Sequence, residues 1–155
     1  MSHPVQPAFL RRFPALCLLA LAFHLTALAA PAADLKLEAK MIWGANNRPD
    51  TVKYITVDPA LAATLRRNFK WTNYYEITNV AAVIPLHQTR LLRLSDRCTV
   101  SIQNLGPSLV AVDCLNQGKP ISRGTNALPC IYTGTNLDDT AWFIRLRSLD
   151  AKSTK

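Results

Sequence analysis

The stretch CTVSIQNLGPSLVAVDCL (residues 98–115) decides the fold class of this chain. Over 98–105, apolar and polar side chains alternate, which is the period of a strand with one buried face. Gly106-Pro107-Ser108 has the residue types of a turn, and 109–115 then restores the alternation. The stretch therefore predicts a β-hairpin.

The same signals recur on both sides of this hairpin. Alternation over 35–43 and the aromatic, β-branched composition of 71–78 favour two further strands. Turn residues separate the strand candidates at intervals of about eight to twelve residues. The other candidates are 51–57, 80–86, 89–94, 120–125, 130–133 and 141–149. We expect a mainly β fold, a single-domain β-sandwich or small barrel of about seven or eight strands.

The last strand candidate contains an exception to its alternation. Trp142, Ile144 and Leu146 share one face, as expected for a half-buried strand. The opposite face carries two arginines, but it also carries the apolar Phe143. The pattern leaves this phenylalanine without an explanation.

One short helix is expected near 59–68. Asp58 can cap the exposed backbone N–H groups of a first turn, and Pro59 suits the first helical position. Leu61 and Leu65 lie four residues apart, so they fall on the same side of a helix. These features predict a helix with one buried stripe.

The first 33 residues have the pattern of a secretory signal peptide. Arg11 and Arg12 precede an apolar run over 14–30, and small residues that suit cleavage follow. An uncleaved membrane anchor is the alternative, but the run is shorter than the roughly 20 apolar residues of a spanning helix, and it contains His24. We expect a signal peptide at 1–33, a single β domain at 34–149 and a frayed tail at 150–155.

Export predicts a periplasmic or extracellular location, where disulfides can form. The cysteines beyond the signal peptide are Cys98, Cys114 and Cys130. A turn centred on Gly106 would place Cys98 directly opposite Cys114, at a spacing that suits a disulfide. A two-residue turn would misalign them by one position. Cys98–Cys114 is the tentative pairing; Cys114–Cys130, or no bridge, remains open.

The charge of the chain is basic and scattered. Loss of Arg11 and Arg12 lowers the formal net charge from +8 to +6. Scattered positive charge favours contact with anionic surfaces. Outside the cytoplasm these surfaces are envelope lipids and polysaccharides, so we do not expect nucleic acid as a partner. We expect no membrane span after cleavage, and the oligomeric state stays open.

The strongest candidate for a ligand surface follows the predicted helix. The stretch RRNFKW (66–71) interleaves cations and aromatic rings, as nucleic-acid and glycan binders do. The alternative, which we favour, is a helix end whose aromatic side chains enter the core. A strand turns one of two neighbouring tyrosines outward. The weak binding candidates are Arg66, Arg67, Lys70, Trp71, Tyr74 and Tyr75.

Catalytic and metal-binding patterns are weak. His87 is the one histidine beyond the signal peptide, and a hydrolase would combine it with a carboxylate or Cys130. Asp138-Asp139 with Asn136 could supply oxygen ligands for calcium, but the same residues suit a turn. No cysteine or histidine spacing typical of zinc occurs. We predict no catalytic residue, no metal site and no cofactor.

Four segments together resemble a known group of proteins. They are MIWGAN (41–46), VDP (57–59), FKWTNYYE (69–76) and DTAWFI (139–144). Their order resembles small exported bacterial β proteins of unknown function, over most of 35–148. The resemblance implies an envelope-located, non-catalytic β domain that is accessory to an export or surface-assembly apparatus. It carries over no catalytic residue and no cysteine pairing.

The functional expectation follows from these observations. We expect an exported, non-catalytic envelope protein that acts as a binding or assembly module. Its partner would be a protein or an anionic envelope polymer, held by a sheet edge or by the aromatic strand. One alternative is a small secreted hydrolase that uses His87. Another is a secreted inhibitor of a hydrolase, which would present an exposed rigid loop such as 118–126.

Overall fold

Alternating apolar side chains build two antiparallel sheets in residues 34–47 and 54–150, which the computed structural model describes. The strands are β1 (Leu35–Ala45), β2 (Ile55–Thr56), β3 (Asn73–Ile84), β4 (Thr89–Arg93), β5 (Cys98–Gly106), β6 (Leu109–Asn116), β7 (Lys119–Ala127), β8 (Cys130–Thr135) and β9 (Ala141–Ser148), and the helix is α1 (Pro59–Asn68). The first sheet has the order β2-β3-β1-β9-β8 and the second β4-β5-β6-β7. The mainly β prediction is confirmed, and two facing sheets are consistent with a β-sandwich.

The described residues contain nine strands, whereas the sequence predicted about seven or eight. The hairpin predicted from 98–115 is present as β5 and β6. The candidates 71–78 and 80–86 are instead one continuous strand, β3, because Pro85 lies just beyond its end. Within 51–57, the two residues of β2 form the described strand. The predicted signal peptide (1–33) and all of the predicted tail after Asp150 lie outside the described residues.

The core lies between the inner faces of the two sheets. In β5, the even-numbered residues from Cys98 to Asn104 point inward, as their alternation predicts. The fully buried aliphatic side chains of this core include Leu37, Ile84, Val100, Ile102, Val110, Val112, Ile144 and Leu146. Burial of such side chains contributes about 1.5–3 kcal/mol each, so this layer stabilises the pairing of the sheets.

A second core forms on the outer face of the first sheet, where α1 packs. Asp58 Oδ1 accepts a hydrogen bond from the backbone N of Leu61 at 2.9 Å, and Pro59 takes the first position, so the helix prediction is confirmed. Leu61 and Leu65 are buried against Ile42 and Phe143 of the sheet. The helix therefore explains why an apolar Phe143 interrupts the polar face of β9. Within the described residues, no helix is long and apolar enough to span a membrane.

The predicted alignment of Cys98 with Cys114 is wrong. Gly106 pairs with Leu109, and a bulge beside Asn104 shifts the register, so Cys98 lies opposite Asn116 and Cys114 opposite Val100. Diagonal neighbours of this kind lie about 7–8 Å apart, whereas the Cα atoms of a disulfide usually lie about 4.4–6.8 Å apart. All three described cysteines are free thiols, and the tentative Cys98–Cys114 bridge is not formed.

Candidate binding cleft

The aromatic residues predicted to face a ligand are buried. Trp71, Tyr74 and Tyr75 are 5%, 2% and 5% exposed, so the expectation of an outward-facing tyrosine is wrong. The two tyrosines do point to opposite faces of β3. However, Tyr74 packs beneath α1, 5.6 Å from Phe143 between ring centroids, and Tyr75 packs 5.7 Å from Trp43 on the other face. Both faces of the strand are covered at this point.

The three cations of the predicted surface remain exposed at the end of α1 and just beyond it. Arg66 Nε donates to the carbonyl oxygen of Thr72 at 2.9 Å, whereas Arg67 lies in the last helical turn. Lys70 forms an ion pair with Asp139 and lies 5.4 Å from the centroid of its neighbouring indole ring. These contacts connect the segment after α1 to the turn between β8 and β9. The motif therefore includes buried packing residues, as its favoured interpretation predicts.

The structure does not bring together the residues proposed for a hydrolase. His87 is exposed in the connection between β3 and β4, where its backbone N donates to the Asn104 carbonyl at 2.8 Å. Cys130 begins β8, and burial raises its pKa to about 11. A thiol with this pKa is almost entirely protonated at neutral pH, which makes it a poor nucleophile.

The acidic segment between β8 and β9 forms a turn held by its own side chains. Asp138 Oδ1 accepts hydrogen bonds from Thr140 Oγ1 at 2.6 Å and from the backbone N of Thr140 at 3.2 Å. The bond from the threonine hydroxyl is the main reason that the pKa of Asp138 is lowered. Across residues 34–47 and 54–150, no group of three or more His, Cys, Asp or Glu side chains could hold a metal ion.

A cleft that the sequence analysis missed lies between residues of the two sheets, with a volume of about 570 Å³. One wall contains the first-sheet residues Met41, Trp43, Ile77 and Trp142, joined by Tyr54. The opposite wall contains Ser95, Asp96, Arg97, Cys98, Asn116 and Ile121, and Asn136 completes the lining. Small-ligand sites have volumes of about 300–1,000 Å³ and mostly apolar linings with a few polar groups. This cleft has both properties.

Mutual contacts hold the aromatic wall of the cleft in place. The ring centroids of Trp43 and Tyr54 are 5.6 Å apart, and each ring also contacts Tyr75, at 5.7 and 6.1 Å. Tilted pairs at these distances stabilise one another beyond the burial of their area. Tyr54 is 41% exposed at the rim, so part of this wall is open to solvent. A wall fixed in advance loses less side-chain entropy when a ligand binds.

A glycine positions the second indole of the cleft. Trp142 lies directly across the ladder from Gly134 of β8 and directly across from Trp43 of β1. A Cβ atom added at Gly134 would lie only 2.5 Å from Cζ2 of the Trp142 ring, closer than real contacts permit. The absence of a side chain therefore lets the indole lie across β8.

The charged groups of the lining differ in their partners. The carboxylate of Asp96 accepts a hydrogen bond from Arg93 Nη2 at 2.8 Å, in an ion pair whose side chains are both mostly exposed. The exposed guanidinium of Arg97 has no ion pair and no side-chain hydrogen bond within the described part of the chain. Arg97 is thus the available cation of the cleft.

Part of this site had a signal in the sequence. Trp43 and Trp142 both occupy inward positions of predicted strands, so their burial could be inferred from alternation. Their position opposite each other depends on the pairing of β1 with β9, which joins residues about a hundred positions apart in the chain. Local periodicity indicates which residues of each strand share a face, but it does not indicate which residue of a distant strand lies opposite.

The fold and the cleft define a class of protein: a two-sheet antiparallel β protein with an aromatic-walled cleft between its sheets. No protein-family model, curated protein or solved structure matches the chain.

Proposed function

We propose that this chain is a non-catalytic binding domain that its first 33 residues direct out of the cytoplasm, and that its ligand occupies the cleft. The observation that supports this proposal is the aromatic wall of Trp43, Tyr54 and Trp142 facing a few polar groups across about 570 Å³. The net charge of +6 beyond the signal peptide adds a general attraction to the anionic components of a bacterial envelope.

The ligand contact that we propose is the cleft and no longer the aromatic strand that the sequence indicated. Burial of Trp71, Tyr74 and Tyr75 removes the support for a partner held by these rings. The other contact predicted from the sequence, a sheet edge, keeps its support. Residues 119–127 form β7 at the edge of the second sheet, not the loop that the inhibitor alternative requires.

This edge supports a second candidate function. β7 is nine residues long, mostly exposed, and pairs with β6 on one side. An extended segment of a protein partner could add to such an edge through backbone hydrogen bonds. The domain would then act in assembly, as the alternative to binding a small ligand.

Export is tested by expressing the full chain with a C-terminal tag and separating the cell fractions. We expect the protein outside the cytoplasm, with an N-terminus at or close to Asp34 by mass spectrometry. Recovery from the cytoplasm with residues 1–33 attached would contradict the proposal.

The binding site is tested by extracting the purified protein with organic solvent and measuring co-purified small molecules by mass spectrometry. We expect a compound that accompanies the wild type and is depleted in Tyr54→Ala, which removes an exposed ring from the wall. The matched control is Leu91→Ala, because Leu91 is 65% exposed on the second sheet and does not line the cleft. Equal recovery from all three proteins would count against the cleft.

Hydrogen exchange distinguishes the two candidate functions. An envelope extract that protects the amides of Met41–Trp43 and Ser95–Cys98 supports the cleft. Protection confined to Lys119–Ala127 supports strand addition and would contradict the cleft as the binding site.

A further inference from the structure

We propose that the ligand of the cleft is an organic acid with a flat, apolar body, and that Arg97 binds its acid group. This inference rests on the proposed binding function of the cleft and specifies the class of ligand. It depends on the chemistry of the two walls and on the charge that remains uncompensated between them.

The apolar wall selects the body of the ligand. Trp43, Tyr54 and Trp142 present ring faces or edges, and Met41 and Ile77 add flexible and branched apolar surface beside them. Aromatic rings bind other rings in offset or edge-to-face arrangements, which add to the free energy of area burial. Methionine side chains adapt to irregular contours and contact ring edges favourably. A planar hydrocarbon group therefore fits this wall better than a strongly hydrated one.

The charged residues of the lining indicate that the ligand carries an acid group. The charged residues of the lining are Asp96 and Arg97. The carboxylate of Asp96 pairs with Arg93, outside the lining, at 2.8 Å and not with Arg97. An acid on the ligand would give Arg97 the ion pair that the described residues do not provide. A guanidinium also binds carboxylates through two parallel hydrogen bonds, which fixes the orientation of the ligand.

The amides of the lining are consistent with this orientation. Asn116 and Asn136 are exposed at the rim, and each side chain can donate and accept hydrogen bonds. The Asn136 amide already donates to Thr140 Oγ1 at 2.8 Å, which orients this side chain. Asn116 lies opposite Cys98 in the β5–β6 ladder, and Cys98 directly follows Arg97 in the chain, so a ligand with one polar end is expected.

The test compares two isosteric probes, 2-naphthoate and its neutral counterpart 2-naphthamide. Their affinities for the secreted full-chain product are measured by isothermal titration calorimetry and mapped by NMR chemical shifts. We expect naphthoate to bind roughly fivefold more tightly, because its carboxylate adds one partly solvated charge-assisted pair. This preference should shrink as salt is added, since exposed ion pairs are screened.

Two variants test whether Arg97 supplies the positive charge that binds the carboxylate of the probe. Arg97→Gln should remove most of the preference for naphthoate, because it should lower the affinity for naphthoate more than the affinity for naphthamide. Arg90→Gln is the matched control, because it removes the same charge from an exposed arginine that bonds to the Val83 carbonyl instead of lining the cleft. It should leave the preference intact. Tyr54→Ala should weaken both probes.

The outcomes separate this inference from the proposed function. Equal binding of both probes, with both weakened by Tyr54→Ala, would overturn the role of Arg97 and the acid group while supporting the cleft as a binding site. Failure of both probes to shift any resonance of the lining residues would overturn the inference and also contradict the cleft. A preference that Arg90→Gln and Arg97→Gln reduce equally would show a general charge effect and would overturn the assignment to Arg97.

Discussion

Glu38 is a buried carboxylate on the outer face of the first sheet. It is 8% exposed, and it accepts hydrogen bonds from Arg147 Nε and, at 3.0 Å, from Asn79 Nδ2. The hydrogen bond from Arg147 is the main reason that the pKa of Glu38 lies below its ordinary value, although burial opposes the shift. The folded protein therefore stabilises the ionised carboxylate more than the unfolded chain does.

The first prediction concerns the pH dependence of stability. Because the folded pKa lies below the ordinary value of 4.5, the contribution of Glu38 is fully present above that pH and is lost as the pH falls through the folded pKa. Glu38→Gln should lower the free energy of unfolding at pH 7 by about 1–2 kcal/mol. The difference between variant and wild type in urea titrations should shrink as the pH falls below 4.5.

The matched control is Asp150→Asn. Asp150 pairs with Lys36 at 3.2 Å, but both side chains are more than half exposed. Exposed pairs contribute roughly 0–1 kcal/mol. The free energy of unfolding of this variant should therefore stay close to that of the wild type, both at pH 7 and below pH 4.5. A Glu38→Gln effect that stays constant from pH 7 to pH 3 would contradict the role assigned to the ionised carboxylate.

At the scale of elements, α1 depends on the sheet beneath it. Helices of ten residues are marginal in isolation, so capping by Asp58 is not sufficient to form one. The helix buries Leu61 and Leu65 over Phe143, whose ring also lies 4.8 Å from Phe69. Gly44 permits this arrangement, because a Cβ atom there would lie 2.8 Å from the ring of Phe143. One phenylalanine thus joins the helix, the segment after it and the sheet.

The second prediction removes this ring. Phe143→Ala should lower the free energy of unfolding by about 3–5 kcal/mol, the usual effect of deleting a fully buried phenylalanine. Hydrogen exchange should increase first in the amides of Leu61 to Asn68, before those of the sandwich core. Phe143→Leu, which keeps part of the volume, should show the same order with a smaller loss if the alanine variant does not fold.

The control for this variant is Leu91→Ala. Leu91 is 65% exposed on the second sheet, so its truncation should change stability by less than about 0.5 kcal/mol. If Phe143→Ala destabilises the protein without faster exchange in α1, then the helix does not depend on this contact.

At the scale of the whole molecule, three cysteines contact the core that lies between the two sheets. Cys98 and Cys114 come from the second sheet and Cys130 from the first. Burial is the main reason that the pKa of Cys114 rises to about 12, and the negative charge of Asp113 adds to the shift. These thiols are therefore protonated and unreactive near neutral pH.

The third prediction concerns the chemical state of these thiols in the purified protein. Iodoacetamide added under native conditions at pH 7 should label the three cysteines slowly. In urea without a reductant, it should label all of them, as peptide mass spectrometry would show. A parallel sample that is reduced before labelling is the control and should give the same yields. Recovery of a disulfide-linked pair of peptides that contain Cys98 and Cys114 would contradict the prediction that these thiols are free.

Much of the fold was determined by the sequence alone. The alternation over 98–115 predicted β5 and β6, and Asp58 with Pro59 predicted the start of α1. The inward positions of Trp142, Ile144 and Leu146 were also predictable. These features depend on neighbours a few residues apart, where the periods of strand and helix and the chemistry of caps and turns act directly.

The tertiary structure decided the features that depend on distant segments. The turn that pairs Gly106 with Leu109, together with the bulge beside Asn104, set the register that places Cys98 opposite Asn116, and the packing of α1 covered Tyr74. The pairing of β1 with β9 placed Trp43 opposite Trp142 and so formed one wall of the cleft. Alternation states which side chains share a face, but the covering of that face and the register between strands arise from packing between segments that the chain separates.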